Sequence, residues 1–131
     1  MKISICIVSC FLYWALGVAS AETCLPVAAL KTNNFQGWVA YDADNGDPVS
    51  GSRLQQYEKR VTHFALATWL AGAPEGEAQC YYRDQHDPYY LNIYLAKVNL
   101  VPDKQLSPWL NIGSNRMECR LALENCLYKE P

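Results

Sequence analysis

The sequence predicts a mainly β fold: a single small antiparallel β-sandwich or partly open barrel held by two disulfides, with room for one short helix. Two observations carry that expectation. Five or six short apolar runs recur between turn signals, and an even number of cysteines, four, remains once an export signal is set aside. Composition narrows the class further. Charged residues make up 18% and aromatic residues 12% of the 131-residue chain, the wrong balance for a disordered protein. A formal charge of −2 leaves no basic excess for phosphate contacts, so no nucleic-acid partner is expected. The length suits one ordinary domain rather than two.

Residues 1–21 read as a signal peptide. Met1-Lys2 gives a positive start, Ile3 to Val18 is nearly continuous uncharged apolar sequence, and Val18-Ala19-Ser20-Ala21 offers small residues at the spacing signal peptidase uses. Cleavage is therefore expected before Glu22. A retained membrane helix is the rival, but sixteen such residues are marginal for a span. Ile7-Val8-Ser9-Cys10 has the form of a lipoprotein box, yet follows too few apolar residues to complete an h-region. The expected mature chain is one periplasmic domain, residues 22–131, with no membrane span and a formal charge near −3.

Cys6 and Cys10 leave with the signal, and Cys24, Cys80, Cys119 and Cys126 remain, the pattern of two disulfides in an oxidising compartment. Free buried thiols are the alternative; a zinc site is disfavoured because no CxxC pair exists. Three connectivities are possible. Cys24–Cys80 with Cys119–Cys126 is preferred, the second closing a short turn around Leu121 to Asn125, and the other two stay open.

Glu22 to Asn34 is a lead-in anchored by Cys24-Leu25-Pro26. Gly37 to Tyr41 alternates Trp38 and Ala40 against Val39 and Tyr41, which suits a strand. Asp42 to Gly51 is a turn cluster containing Asn45-Gly46. From Arg53 to Leu70 the pattern is ambiguous. Ser52 and Gln55 resemble a capping box and Leu54, Tyr57, Val61 and Phe64 fall at helical spacing, whereas Val61 to Leu70 is rich in β-branched and aromatic residues. We favour a strand over Val61–Leu70 with a short helical turn in Arg53–Lys59. Gly72 to Gly76 would then turn the chain into a return strand, Ala78 to Tyr82. After Asp84-Gln85-His86-Asp87-Pro88, a turn, a long strand is expected over Tyr89–Leu100, with Tyr89, Leu91, Ile93 and Leu95 on one face and Tyr90, Asn92, Tyr94 and Ala96 on the other. Trp109 to Ile112 and Met117 to Leu123 complete the strands.

Chemistry-bearing patterns are few. Asp42-Ala43-Asp44-Asn45-Gly46-Asp47 evokes a calcium loop, but the EF-hand pattern needs Gly sixth and Glu twelfth, and here Gly46 is fifth and Arg53 twelfth. His86 lies between Asp84 and Asp87, a combination any exposed turn also shows. With the cysteines oxidised, no GxSxG elbow, and His63 in an apolar run where a satisfied, half-buried histidine is expected, nucleophilic catalysis finds no constellation. Glu75 and Glu77 lie on a turn with nothing to raise a pKa. We expect no enzyme activity, no cofactor and no metal.

The informative feature is aromatic. If Gln79 to Arg83 pairs with Tyr89 to Lys97, one sheet face presents Gln79, Tyr81 and Arg83 beside Tyr90, Asn92 and Tyr94. Tyrosine and arginine interleaved with amides characterise protein-binding surfaces, and Tyr81, Arg83, Tyr90, Asn92 and Tyr94 are the candidate partner-binding residues. The alternative is that these rings cover a second core layer with their hydroxyls at its rim.

An export signal, Cys24-Leu25-Pro26, Trp38 to Tyr41, Phe64 to Trp69, Gly76 to Tyr82, an Ile/Leu strand, Trp109 and closing Cys119 and Cys126 follow one another in this chain. The arrangement resembles small periplasmic proteins associated with type IV secretion in intracellular bacterial pathogens, the EirA-type family. The likeness covers most of the mature chain and rests on spacing and on aromatic and cysteine positions. It implies a non-catalytic periplasmic accessory near the inner membrane, needed for secretion and intracellular growth, whose partner is an envelope or secretion-system protein. It carries over no catalytic residue. The competing expectation is a secreted or periplasmic inhibitor of a lysozyme or protease, acting through a loop such as Gly72–Glu77 or Asp84–Pro88.

Overall fold

The computed structural model describes residues 21–72, 76–86 and 89–131. The signal segment 1–20, the hairpin tip 73–75 and residues 87–88 of the second loop lie outside them, so cleavage before Glu22 and the full inhibitor loops do too. The architecture is the mainly β, antiparallel domain with two disulfides that the sequence predicts. Helices α1 (Val27–Lys31) and α2 (Gly51–Arg60) accompany strands β1 (Val39–Asp42), β2 (His63–Leu70), β3 (Glu77–Arg83), β4 (Ile93–Val98), β5 (Val101–Pro102), β6 (Leu110–Gly113), β7 (Arg116–Cys119) and β8 (Tyr128–Lys129). Six strands form one antiparallel sheet in the order β1-β4-β3-β2-β7-β6, and β5 pairs β8 in a separate ribbon. The disulfides are Cys24–Cys80 and Cys119–Cys126, with S–S distances of 2.02 and 2.10 Å. They point to an oxidising, extracytoplasmic compartment. Among the described residues, no helix is long and apolar enough to cross a membrane.

One sheet face makes the core. Ala40, Ile93, Leu95, Ala78, Cys80, Tyr82, Ala67 and Met117 alternate inward and meet Leu30 of α1, Tyr57 of α2, Val61 and the C-terminal Cys126 and Tyr128. Tyr128 packs its ring 5.0 Å from Trp109 and 6.2 Å from Trp38, between centroids, and its hydroxyl donates to the Thr68 carbonyl at 2.7 Å. The lead-in is tied down three ways. Cys24 joins central β3, Tyr82 donates to the Leu25 carbonyl at 2.6 Å, and Glu22 exchanges backbone hydrogen bonds with Tyr128 while its carboxylate pairs with Lys97.

Three local expectations change. The helical turn within Arg53–Lys59 is a ten-residue helix, Gly51–Arg60, with Ser50 rather than Ser52 at the N-cap position and no side-chain capping bond from it, and the strand starts at His63 rather than Val61. Leu54, Tyr57 and Val61 sit at helical spacing against the core, while Gly51 enters the helix at φ +66°, a conformation glycine adopts without strain. Lys59 and Arg60 occupy the last turn, where the helix dipole favours cations. The long strand over Tyr89–Leu100 shortens to Ile93–Val98. Asn99 adopts φ +64° and turns the chain into β5, and before Ile93 the Leu91 N–H still reaches the Tyr82 carbonyl, at 2.9 Å. The third change is a register shift between Phe64 and Leu66, where Ala65 forms a bulge. Phe64 therefore faces Tyr82 in the core, with ring centroids 5.9 Å apart, while Leu66 faces Tyr81 on the opposite side. Gly76 is required where the hairpin returns: at φ +85°, a Cβ there would meet the Trp69 ring at 2.6 Å.

Tyr57 is almost wholly buried, and its hydroxyl has no hydrogen-bond partner among the described residues. A buried donor without a partner forfeits its hydration for nothing in return. Tyr57→Phe is expected to leave stability unchanged or raise it by about 1 kcal/mol, read as an unchanged or higher urea midpoint. A loss above about 1 kcal/mol would mean that the hydroxyl is engaged.

Candidate functional site

The other sheet face carries the tyrosines. The register sets Tyr41 opposite Tyr94 and Tyr94 opposite Tyr81, so three rings line up across β1, β4 and β3, and Tyr90 joins them from the segment before β4. Ring centroids lie 5.8 Å apart for Tyr41–Tyr94, 5.5 Å for Tyr94–Tyr81 and 5.6 Å for Tyr81–Tyr90. The first two pairs are stacked, with interplanar angles of 28° and 27°. These spacings follow from adjacent strands lying about 4.8 Å apart. Such ring pairs each add about 0.5–1.5 kcal/mol beyond the area they bury.

Beside this ridge runs a floor of buried side chains: Leu66, Thr68, Gln79 and Ala96. Its polar groups satisfy one another. Thr68 Oγ1 and the Tyr81 hydroxyl both donate to Gln79 Oε1, at 3.1 and 3.2 Å, and Gln79 Nε2 donates to Glu77 Oε1 at 3.1 Å. Burial pushes the Tyr81 phenol above its ordinary pKa, with Arg116 pulling against it. Burial raises Tyr94 as well, and Glu77 adds to the effect. At the far end Arg120 donates to the Tyr90 hydroxyl at 2.9 Å and pairs with Glu118 at 3.0 Å, contacts that raise the guanidinium's pKa further. Around the ridge, Val39, Val98, Leu70 and Leu110 stay substantially exposed, up to 61% for Leu110. The rings thus cover a second buried layer, and their outer edges are accessible.

Of the five candidate partner-binding residues, the fold brings Tyr81, Tyr90 and Tyr94 together. Arg83 and Asn92 stand apart from the ridge. The last β3–β4 pair is Tyr81–Tyr94, so neither faces the other across β3 and β4, and the cross-strand neighbour of Arg83 is His63 of β2. Arg83 lines, with Tyr90, a groove beside the Cys119–Cys126 loop. Asn92 lies against α2, near Arg53 and Gln56. Sequence reasoning left out Tyr41, Arg116 and Arg120. The alternation of Val39 and Tyr41 against Trp38 and Ala40 was the available signal for Tyr41; Arg120 follows β7 and had none.

The other chemical candidates resolve into turns. Asp42 accepts from the Asp44 and Asn45 N–H groups at 2.7 and 3.3 Å and pairs with Arg53 at 2.6 Å, which together hold its carboxyl below the usual range. Asp84 does the same with the His86 N–H, at 2.6 Å, and with Arg60, and its pKa is lowered likewise. His63 is exposed rather than half-buried, as the first residue of β2, with Nδ1 2.7 Å from the Thr62 hydroxyl. Glu77 begins β3 rather than lying in the turn, and Glu75 falls outside the described residues. Among the described residues, no three His, Cys, Asp or Glu side chains converge as metal ligands. Compared with protein-family models, with curated proteins and with solved structures, the chain finds no match.

Proposed function

We propose that this chain is a non-catalytic binding or assembly protein of the periplasm, which holds an envelope or secretion-system protein on the tyrosine face of its sheet. The observation that carries this reading is the asymmetry of the two faces. Both helices and the β5–β8 ribbon contribute to the core on one side. The opposite side, which in such a sheet is ordinarily polar and solvated, bears Tyr41, Tyr94, Tyr81 and Tyr90 in a continuous row fringed by exposed Val39, Val98, Leu70 and Leu110. Tyrosines supply large contact area with few rotatable bonds and are enriched among residues that dominate binding energy. Because Gln79 and Tyr81 are already bonded to each other, the surface is preorganised and little ordering is required on binding. The resemblance to the EirA-type family directs attention to the type IV secretion apparatus at the inner membrane, where loss of the protein would impair secretion and intracellular growth.

The double substitution Tyr81→Ala with Tyr94→Ala tests the reading. Both rings are only half-buried, so the variant is expected to keep its circular-dichroism spectrum and lose about 2 kcal/mol of stability. Removing hot-spot tyrosines worth about 2 kcal/mol or more is expected to weaken partner capture from solubilised envelopes at least about 30-fold. Capture at wild-type strength by the folded variant overturns the assignment of this face.

A further inference from the structure

Next to the tyrosine row, a groove of about 480 Å3 runs between the bulged start of β2 and the loop closed by Cys119–Cys126. Phe64 and Ala65 form one side, Leu121 and Leu123 the other, and Arg83, Arg120 and Tyr90 stand along it. Its size falls within the range of pockets that hold a ligand. Both walls depend on deliberate irregularities. The bulge at Ala65 separates the directions of Phe64 and Leu66, and the seven-residue span of the disulfide fixes the loop that carries Leu121 and Leu123. Leu121 is 47% exposed and faces solvent, while Phe64 and Leu123 are partly buried against the core.

The charges single out the occupant. Arg83 has no acidic partner among the described residues, and Arg120 divides its guanidinium between Glu118 and the Tyr90 hydroxyl. Glu118 offsets the charge of Arg120, so Arg83 supplies the net positive charge beside the floor of Phe64, Leu121 and Leu123, a local basic spot in a chain whose formal charge is −2. A free phosphate would engage the arginines and leave the floor uncovered, and a nucleic-acid backbone requires a longer basic track. Carboxylates match the planar guanidinium fork, and an aliphatic or aromatic neighbour in the same segment would fill the floor.

We propose that this groove docks an acidic polypeptide segment of the partner, in which one or two Asp or Glu carboxylates meet Arg83 and Arg120 and an adjacent Leu, Ile or Phe packs against Phe64, Leu121 and Leu123. The inference rests on the docking reading above and names the partner's chemistry. Tyr90 links the two surfaces, with its ring beside Tyr81 and its hydroxyl on Arg120.

The test is selection of random peptides displayed on phage against the purified oxidised protein, followed by affinity measurement of the enriched sequences as synthetic peptides. Enriched peptides are expected to share an acidic residue beside a large apolar one. Binding should fall at least tenfold in Arg83→Glu, in Arg83→Gln and in peptides carrying Asn or Gln for the acid, and should weaken with added salt. Lys59→Glu, on α2 away from the groove, should bind as wild type. Among the described residues the Arg83 side chain forms no ion pair, and an unchanged circular-dichroism spectrum and urea midpoint of its variants separate binding from folding. The absence of an acidic consensus, of any enrichment, or of an effect of Arg83→Glu overturns the inference. So does a concentration-dependent dimer dissolved by Arg83→Glu, which assigns the groove to a second copy of this chain. Any of these, found while envelope capture still depends on Tyr81 and Tyr94, removes the groove's role and leaves the tyrosine face standing.

Discussion

Replacing Cys24 and Cys80 together by alanine is expected to lower stability by about 4 kcal/mol, against about 2 kcal/mol for the Cys119→Ala, Cys126→Ala pair. The asymmetry follows from loop length. The first bridge joins residues 56 apart in sequence and the second joins residues seven apart, and the chain entropy a cross-link removes from the unfolded state grows with the logarithm of that separation. Position acts in the same direction. Both bridges lie in the core, but Cys24–Cys80 fastens the lead-in to β3, the strand between β4 and β2. Without it, non-covalent contacts must hold that segment, among them the bond from Tyr82 to the Leu25 carbonyl, the exchange between Glu22 and Tyr128, and the Glu22–Lys97 pair. The smaller bridge, equally buried, closes only the local loop from Cys119 to Cys126. Urea unfolding of both double variants reads the difference through the midpoint at constant m-value. For a domain whose total stability is typically 5–15 kcal/mol, losing about 4 kcal/mol would leave a visible unfolded fraction in a marginal case. Equal losses from the two pairs, or a larger loss from the second, would contradict the account.

Much of this arrangement could be read from residue order, and the exceptions share a cause. The β2–β3 hairpin announced itself because alternation ran up to a Gly-Pro turn and resumed beyond it. The same alternation placed Tyr81 and Tyr94 on one face, and the Tyr81–Tyr94 register bears that out. Alternation also misled where a single residue breaks it. Nothing in the run from Tyr89 to Leu100 distinguishes Asn99 as a left-handed turn, and nothing around Phe64 marks Ala65 as the extra residue of a bulge. Those two conformations are set by tertiary closure onto β5 and β3. Helix α2 was underestimated because its apolar positions, Leu54, Tyr57 and Val61, run without a break into a β-branched strand. Burial of Tyr57 and Val61 fixes the boundary, and no local capping signal does. Arg120 was invisible for a related reason: it lies in a loop whose path is dictated by a disulfide, outside any periodic pattern. Arg83 was correctly assigned to the strand carrying Tyr81, yet β4 ends its pairing before reaching it, so its surroundings are those of the groove instead.

Raising the pH above 10 is expected to unfold the domain cooperatively. Tyr57, Tyr82 and Tyr128 are buried, and burial raises all three phenols well above their ordinary value because the phenolate would lose its hydration. Nearby Tyr57 and Tyr128 push Tyr82 further the same way. In the unfolded chain these side chains ionise near pH 10. A group whose folded pKa lies above its unfolded one contributes stability that is full below the unfolded value and is lost as pH climbs from there towards the folded value. Each such phenol then removes up to about 1.4 kcal/mol per pH unit above 10, and three together about 4 kcal/mol per unit. Two pH units would therefore remove about 8 kcal/mol, enough to cancel the stability of an ordinary domain of this size. Ionisation also ends the hydrogen bonds that Tyr82 donates to Leu25 and Tyr128 donates to Thr68, which pin the lead-in and the C-terminal strand to the sheet. Rapid mixing into alkaline buffer, quick enough to spare the disulfides, follows phenolate absorbance and far-ultraviolet circular dichroism together. The absorbance belonging to three rings should appear only in step with loss of the β signal. In Tyr57→Phe that step should lose one ring's amplitude, and the unfolding midpoint should move to higher pH. Phenolate forming at all three positions while the sheet signal stays intact would show that water reaches these rings in the folded state.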